Sequence, residues 1–315
     1  MRVLLAYFGV VLIWATTPLA IQWSSHSLSF IAAALLRMTF ALALGLLINT
    51  LLRRKLFAVP KVWQVYAAGA IGIFPNMPVV YWSAQFIPSG LVAVIFAMSP
   101  FVTGLLSMIL LKQNPFNPRR MLALFMALSG LIIIFCQQCH LRDHAAYGIL
   151  GILLSCFMFG FSSVLVKKVS KNLAVATDAF NQTLGSLLFS LPGLALSWWL
   201  LDGHVPEAIS MKSWIGVSYL ATLGSLLGIT LFFYVLANMS ATAVSLITLM
   251  TPILALLLGA VAAHELMGWP MLLGTGLVII ALLIYLDFSI EVFLFKSLGC
   301  SAWREDQLRK IKRGS

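Results

Sequence analysis

The sequence predicts an all-α membrane protein of about ten transmembrane helices, arranged as two inverted five-helix repeats. Composition, the placement of basic residues and an internal repeat carry that prediction. Of 315 residues 61% are hydrophobic and only 9% charged, with a mean hydropathy of +1.02. A soluble domain carries about 25% charged residues, so this chain lacks the polar surface that water demands. Lipid removes the contradiction, because it solvates apolar outer faces while helices satisfy their own backbone groups.

A helix needs about 20 mainly apolar residues to cross the hydrocarbon. The chain divides into such stretches at 3–23, 28–52, 62–86, 89–111, 120–137, 146–166, 174–200, 213–236, 240–262 and 269–287. The first is not read as a secretory signal, although Arg2 precedes an apolar run. That run is too long for such a signal, holds Trp14 and Pro18, and lacks a small-residue cleavage site. With the N-terminus in the cytoplasm, the loops at 53–61, 112–120 and 167–171, the tail and Arg2 hold 17 of the 20 basic residues. This bias is the positive-inside rule, and it requires an even number of crossings. It also disposes of nucleic acid as the meaning of the +11 net charge: the basic residues orient the chain and meet anionic lipid.

Self-comparison lays Pro88–Gln113 on Ser240–Glu265. Val92, Ile95, Met98 and Pro100 then match Val244, Ile247, Met250 and Pro252, and Gly130 falls on Gly276 in the next span. Apolar sequences match by chance, so the ordered prolines and glycines count most. Halves with an odd number of helices must enter the membrane in opposite senses, a plan that places a substrate site near the midplane. The divisions are 1–137 for the first repeat, 138–145 for an outer loop, 146–288 for the second repeat and 289–315 for a basic cytoplasmic tail.

Several stretches are similar to a known group. Leu12–Ile21 (LIWATTPLAI), Leu35–Phe40 (LLRMTF), Tyr81-Trp82-Ser83-Ala84, Gly90–Pro100 and the counterpart through Pro252 to His264-Glu265 resemble the EamA family of the drug/metabolite transporter superfamily. The resemblance covers about residues 3–287 and rests on the order and spacing of loose motifs. It implies a bacterial inner-membrane protein with ten helices, both termini cytoplasmic, and alternating access to a central cavity for metabolites, often amino acids being exported. One departure is visible: where the family places an acid at the end of the fourth helix, matching Glu265, this chain has Lys112-Gln113. The first half must end that helix with a different cap.

Polar residues inside the spans are the site candidates. Arg37 lies about nine residues into the second span, roughly 13 Å deep at 1.5 Å per residue. An arginine there costs about 2.5–3.5 kcal/mol, so it should face the bundle interior with a partner. Its symmetry mate is near Gln182, which shares a helix face with Asp178 and Asn181. Arg37 either binds a substrate carboxylate or joins an ion-pair switch with Asp178; the competing reading is a permanent structural network. In the third span Pro75 and Pro78 flank Asn76 and should open the helix, a disruption tolerated where backbone lines a cavity or is closed by neighbours. Asn76 would then contact substrate. Pro100 and Pro252 form a symmetric pair of weaker kinks. Trp14, Tyr81, Trp82, Phe159 and Tyr234 lie in helices the family uses for its cavity, beside the hydroxyls of Thr17, Ser162 and Ser163. Tyr81 and Trp82 suit an interfacial belt equally well.

Two motifs mislead. Cys136-Gln-Gln-Cys139-His140 matches a haem attachment pattern, yet it offers neither an enclosing pocket nor a second axial ligand. A Cys136–Cys139 disulfide is left open. His264-Glu265 begins a zinc-protease motif that fails at Gly268. With no P-loop and no catalytic set, the expectation is a secondary transporter (exporter or exchanger) of small metabolites such as amino acids, not an enzyme. A membrane-embedded enzyme or assembly factor using the same cavity is the alternative. No cofactor or metal is expected; the partners are a small-molecule substrate and the bilayer, for a monomer or homodimer.

Overall fold

Among the described residues every regular element is helical. The computed structural model describes residues 2–57, 60–112, 118–141, 144–171, 173, 177–204, 208–241, 244, 247, 248, 251 and 268–286. Gln113, Pro252, Glu265 and the basic tail therefore lie outside the described residues, as does most of the expected ninth span.

The first two spans are single helices, α1 (Arg2–Ser24) and α2 (Phe30–Leu51). The third is broken into α3 (Val62–Ala70) and α4 (Asn76–Ser83), and the fourth into α5 (Ser89–Phe96) and α6 (Ser99–Leu111). Both breaks fall where prolines withhold a donor and crowd the preceding turn: Pro75 caps α4, and Pro100 sits in the first turn of α6. Then come α7 (Pro118–Leu141), α8 (Ala145–Ser170) and α9 (Ala179–Leu201). The expected eighth span runs as α10 (Met211–Tyr219), a π-helical segment (Leu220–Leu227) and α11 (Gly228–Asn238). The last described helix is α12 (Trp269–Leu286).

Six described segments are long and apolar enough to cross a membrane: Arg2–Ser24, Phe30–Leu51, Ser89–Leu111, Ala145–Ser170, Ala179–Leu201 and Met211–Asn238. Their outer faces carry exposed Leu12, Leu51, Leu154, Trp199 and Leu201, a population that lipid solvates and water does not.

Helix ends are closed locally. Ser29, Asp178 and Ser210 cap α2, α9 and α10 by accepting a backbone N–H three residues on. Lys112, in the left-handed conformation at φ 55°, ends α6 and donates its N–H to the Ser107 carbonyl. That turn closes the helix where no acid is present. α7 continues to Leu141, so helix occupies much of the segment expected as a loop at 138–145. Cys136 on α7 is an exposed free cysteine, and the side chain of Cys139 lies outside the described residues.

The centre is built on α8 and α9, against which α3 packs, with α4 and α6 also on α8 and α2 also on α9. α1 packs along α10 and α11. Close approach depends on small residues. A Cβ on Gly185 would lie 2.2 Å from the Tyr66 ring, and one on Gly130 of α7 would lie 2.5 Å from the Gly274 carbonyl of α12. α2 and α9 are tied at both ends. Ser29 donates to the Asp202 carboxylate at one, and Arg54 pairs with Asp178 at 3.2 Å at the other.

Candidate functional site

The irregular helices converge on one cavity of about 120 Å³, a volume of the class that holds one small organic molecule. Its wall comes from α1 (Trp14, Thr17, Pro18, Ile21), α2 (Arg37) and the α3–α4 break (Gly69, Gly72, Ile73, Asn76, Met77, Val80). α5 adds Val92, Ala93 and Phe96, and α8 adds Phe159, Ser162 and Ser163. Gly224 of the π segment, Ile229, Phe232 and Phe233 of α11, and Thr248 and Thr251 complete it.

Arg37 alone is charged among these residues, and it is only 2% exposed. Its Nε donates to Ser225 Oγ at 2.7 Å, and Ser225 sits in the π segment. Nη1 is buried without a hydrogen-bond partner among the described residues. Nη2 lies against Gly224, 3.3 Å from where a Cβ would stand. A guanidinium has five donors in a fixed fork, and here one is anchored while the outer nitrogens remain for a planar anion.

The α3–α4 break is stitched shut by neighbours. Ser162 Oγ donates to the Ala68 carbonyl at 2.7 Å, and Asn76 Nδ2 donates to the Gly72 carbonyl at 3.0 Å. Ser155 Oγ in turn donates to Asn76 Oδ1. These bonds occupy the carbonyls that a broken helix releases. Opposite the break stand three rings. Trp14 meets Phe159 edge-on at 5.8 Å and Phe232 at 5.2 Å, and Phe159 lies 5.1 Å from Phe232. Such offset and edge arrangements are the favourable ones for aromatic pairs. Thr17 and Ser163 spend their hydroxyl protons on the Ile13 and Phe159 carbonyls, which leaves their oxygens as acceptors.

The structure thus gathers Trp14, Thr17, Arg37, Asn76, Phe159 and Ser163 around one space. It places the other candidates elsewhere. Asp178 does not face Arg37; it caps α9 and pairs with Arg54, because a loop cation beside the helix end is nearer than one held deep in α2. Gln182 bridges to α3, donating from Nε2 to the Val65 carbonyl at 2.8 Å, and does not reach the cavity. Trp82 belongs to an aromatic group with Phe86 and Tyr147, which His144 joins where α8 begins. Tyr81 is fully buried away from the cavity, its hydroxyl without a partner among the described residues, and Tyr234 of α11 packs against the buried core. Asn76 lines the cavity with its amide already engaged on both sides, so it holds the break rather than presenting free groups to a solute. Pro75 and Pro78 sit at the start of α4, and Pro100 marks the α5–α6 break.

Comparison with known proteins decides the family. The sequence profile of the EamA-like transporter family matches residues 1–136 and 146–286. The chain belongs to that family. Its members are membrane transporters and not enzymes, so this multi-pass membrane protein is a transporter. Protein PecM of Dickeya dadantii is 26% identical over 278 residues, covering 88% of this chain and 90% of PecM. The uncharacterized inner membrane transporter YedA of Escherichia coli K12 is 22% identical over 286 residues, 89% of each chain. The uncharacterized transporter YoaV of Bacillus subtilis is 23% identical over 304 residues, 93% of this chain and 98% of YoaV. A solved crystal structure superposes with a TM-score of 0.65 at 17% identity, covering 92% of this chain and 98% of its own, and shows the shared fold.

Sequence reasoning missed the wall residues Gly224, Phe232, Thr248 and Thr251 of this EamA-like transporter, and Ser225, which anchors Arg37. The repeat carried a usable signal for two of them, because its alignment lays Phe96 on Thr248 and Ser99 on Thr251.

Proposed function

We propose that the chain is an exporter or exchanger of small carboxylate-bearing metabolites, the class that includes amino acids, working by alternating access at this cavity. The carrying observation is Arg37: a guanidinium, buried, lining the cavity and, among the described residues, anchored through Nε alone. An unpaired charge at membrane depth is expensive, and a carboxylate arriving from solution relieves that cost with paired, charge-assisted hydrogen bonds. Binding that neutralises the cavity lowers the barrier to moving the site across the membrane.

The reading includes ten spans as two inverted five-helix repeats, with both termini cytoplasmic in a bacterial inner membrane. Supporting it are the positive-inside charge pattern, the repeat that pairs Phe96 with Thr248, and the irregular backbone in both the third and eighth spans. The test is flux of labelled carboxylates in proteoliposomes. Arg37→Ala should abolish flux while the detergent-purified protein stays monodisperse; unchanged flux removes Arg37 and the cavity chemistry from the mechanism.

A further inference from the structure

We infer that the cavity selects net monoanions, a carboxylate on an apolar, ring-sized body, over zwitterionic amino acids. This rests on the reading of the cavity as the transport site and narrows its substrate class. The argument is a charge inventory. The described wall holds one cation, Arg37, and no acid. Asp178 is engaged by Arg54 and Asp202 by Ser29, at opposite ends of α9. The remaining acids, Asp143, Glu207, Glu265, Asp287, Glu291, Glu305 and Asp306, fall by sequence in loops, at a rim or in the tail.

A carboxylate on Arg37 therefore leaves the cavity neutral. An amino acid brings an ammonium as well, which must be desolvated in the same low-dielectric space as a guanidinium with no countercharge supplied. The hydroxyl oxygens of Thr17 and Ser163 offer dipoles, which suit a neutral donor on the solute but do not cancel a charge. The body of the ligand meets Trp14, Phe159 and Phe232, so an apolar ring fits where a hydrated polar chain does not.

Three probes with a common skeleton separate the terms: 3-phenylpropionate (carboxylate only), phenylalanine (both charges) and phenethylamine (ammonium only). Each is titrated against the purified full chain in detergent at neutral pH, with thermal stabilisation as the readout, since a ligand raises the midpoint of the state it binds. The expected order is a clear shift with 3-phenylpropionate, an at least tenfold weaker response to phenylalanine, and none to phenethylamine. Arg37→Gln should remove the 3-phenylpropionate shift, and Arg37→Lys, which keeps the charge without the fork, should weaken it while preserving the order. Equal or tighter binding of phenylalanine, a shift with phenethylamine, or no shift with 3-phenylpropionate overturns the inference. Proteoliposome flux separates this result from the transport reading. Phenylalanine flux without 3-phenylpropionate flux sinks the charge selection alone. A 3-phenylpropionate shift with flux of neither probe leaves the selection and sinks the cavity as the transport path.

Discussion

The third and eighth spans both lose regular α-helix beside the cavity, and they do so in opposite ways. In the third span the helix stops at Ala70 and restarts at Asn76, and its freed carbonyls are taken by Ser162 and Asn76. In the eighth the chain stays helical from Met211 to Asn238 but widens into π turns over Leu220–Leu227. There the side chain at the irregularity, Ser225, serves the cavity cation instead of the backbone. One region is a seam closed by its neighbours; the other is a register slip that re-aims a hydroxyl. π-Helical geometry is rare, and its interruptions of α-helices are frequent at functional sites. On the proposed reading, the break in the third span does structural work and the π segment in the eighth serves the ligand site.

The most severe way to break the comparison is to pry the seam open. A Cβ on Gly69 would stand 2.2 Å from Ser186 Oγ and 2.8 Å from Gln182 Nε2, with the Phe233 ring at 3.0 Å. Gly69→Val should therefore push α3 off α9 and cost about 3 kcal/mol, at the top of the range for overpacking. Denaturation of the purified protein in detergent measures it. A loss below about 0.5 kcal/mol, the size of an ordinary surface change, would mean the seam is loosely held.

A milder pair sharpens the contrast. Asn76→Ala strips the Gly72 carbonyl of its donor and Ser155 of its acceptor in a fully buried setting. Orphaning such groups costs about 2 kcal/mol. Ser225→Ala removes one charge-assisted bond and orphans one donor, Arg37 Nε, where Asn76→Ala orphans two groups. The stability loss should be smaller, about 1 kcal/mol, while carboxylate binding weakens because the fork is no longer held. Stability should thus fall more in Asn76→Ala and ligand affinity more in Ser225→Ala. The reverse pattern would exchange the roles given to the two spans.

How much of this was legible in the sequence follows from what encodes each feature. Pro75, Pro78 and Pro100 announced their breaks because a missing N–H is a property of the residue itself. Arg37 announced itself by cost. The π segment did not, because Leu220–Leu227 is an ordinary apolar run and no residue in it forbids α-helix. For Tyr81 and Trp82 the family resemblance suggests the cavity and their place near a helix end suggests an interfacial belt equally; neither cue carries the face that α4 presents after the break. Gln182 was read as a symmetry mate of Arg37, though a polar side chain on a packed helix finds the nearest carbonyl first, here that of Val65. The ninth span, with Pro252, lies largely outside the described residues, so its kink stands as an expectation.

The smallest expected effect concerns Asp178, for which the sequence leaves open an ion-pair switch with Arg37 or a permanent structural network. Asp178 was a gate candidate opposite Arg37; it is bound instead to Arg54, with the two side chains 54% and 47% exposed. An ion pair so open to solvent contributes well under about 1 kcal/mol after screening. Asp178→Asn removes the charge but keeps a good capping side chain for the Asn181 N–H, so the start of α9 is preserved. The same end retains a second tie, Asn181 Nδ2 to the Lys55 carbonyl at 3.2 Å. Stability should therefore move by less than about 0.5 kcal/mol, as at an ordinary surface site, and carboxylate flux should stay near wild type. A collapse of flux with unchanged stability would instead show that the Arg54–Asp178 pair breaks and reforms during transport. It would also place a gate at the junction of α2 and α9.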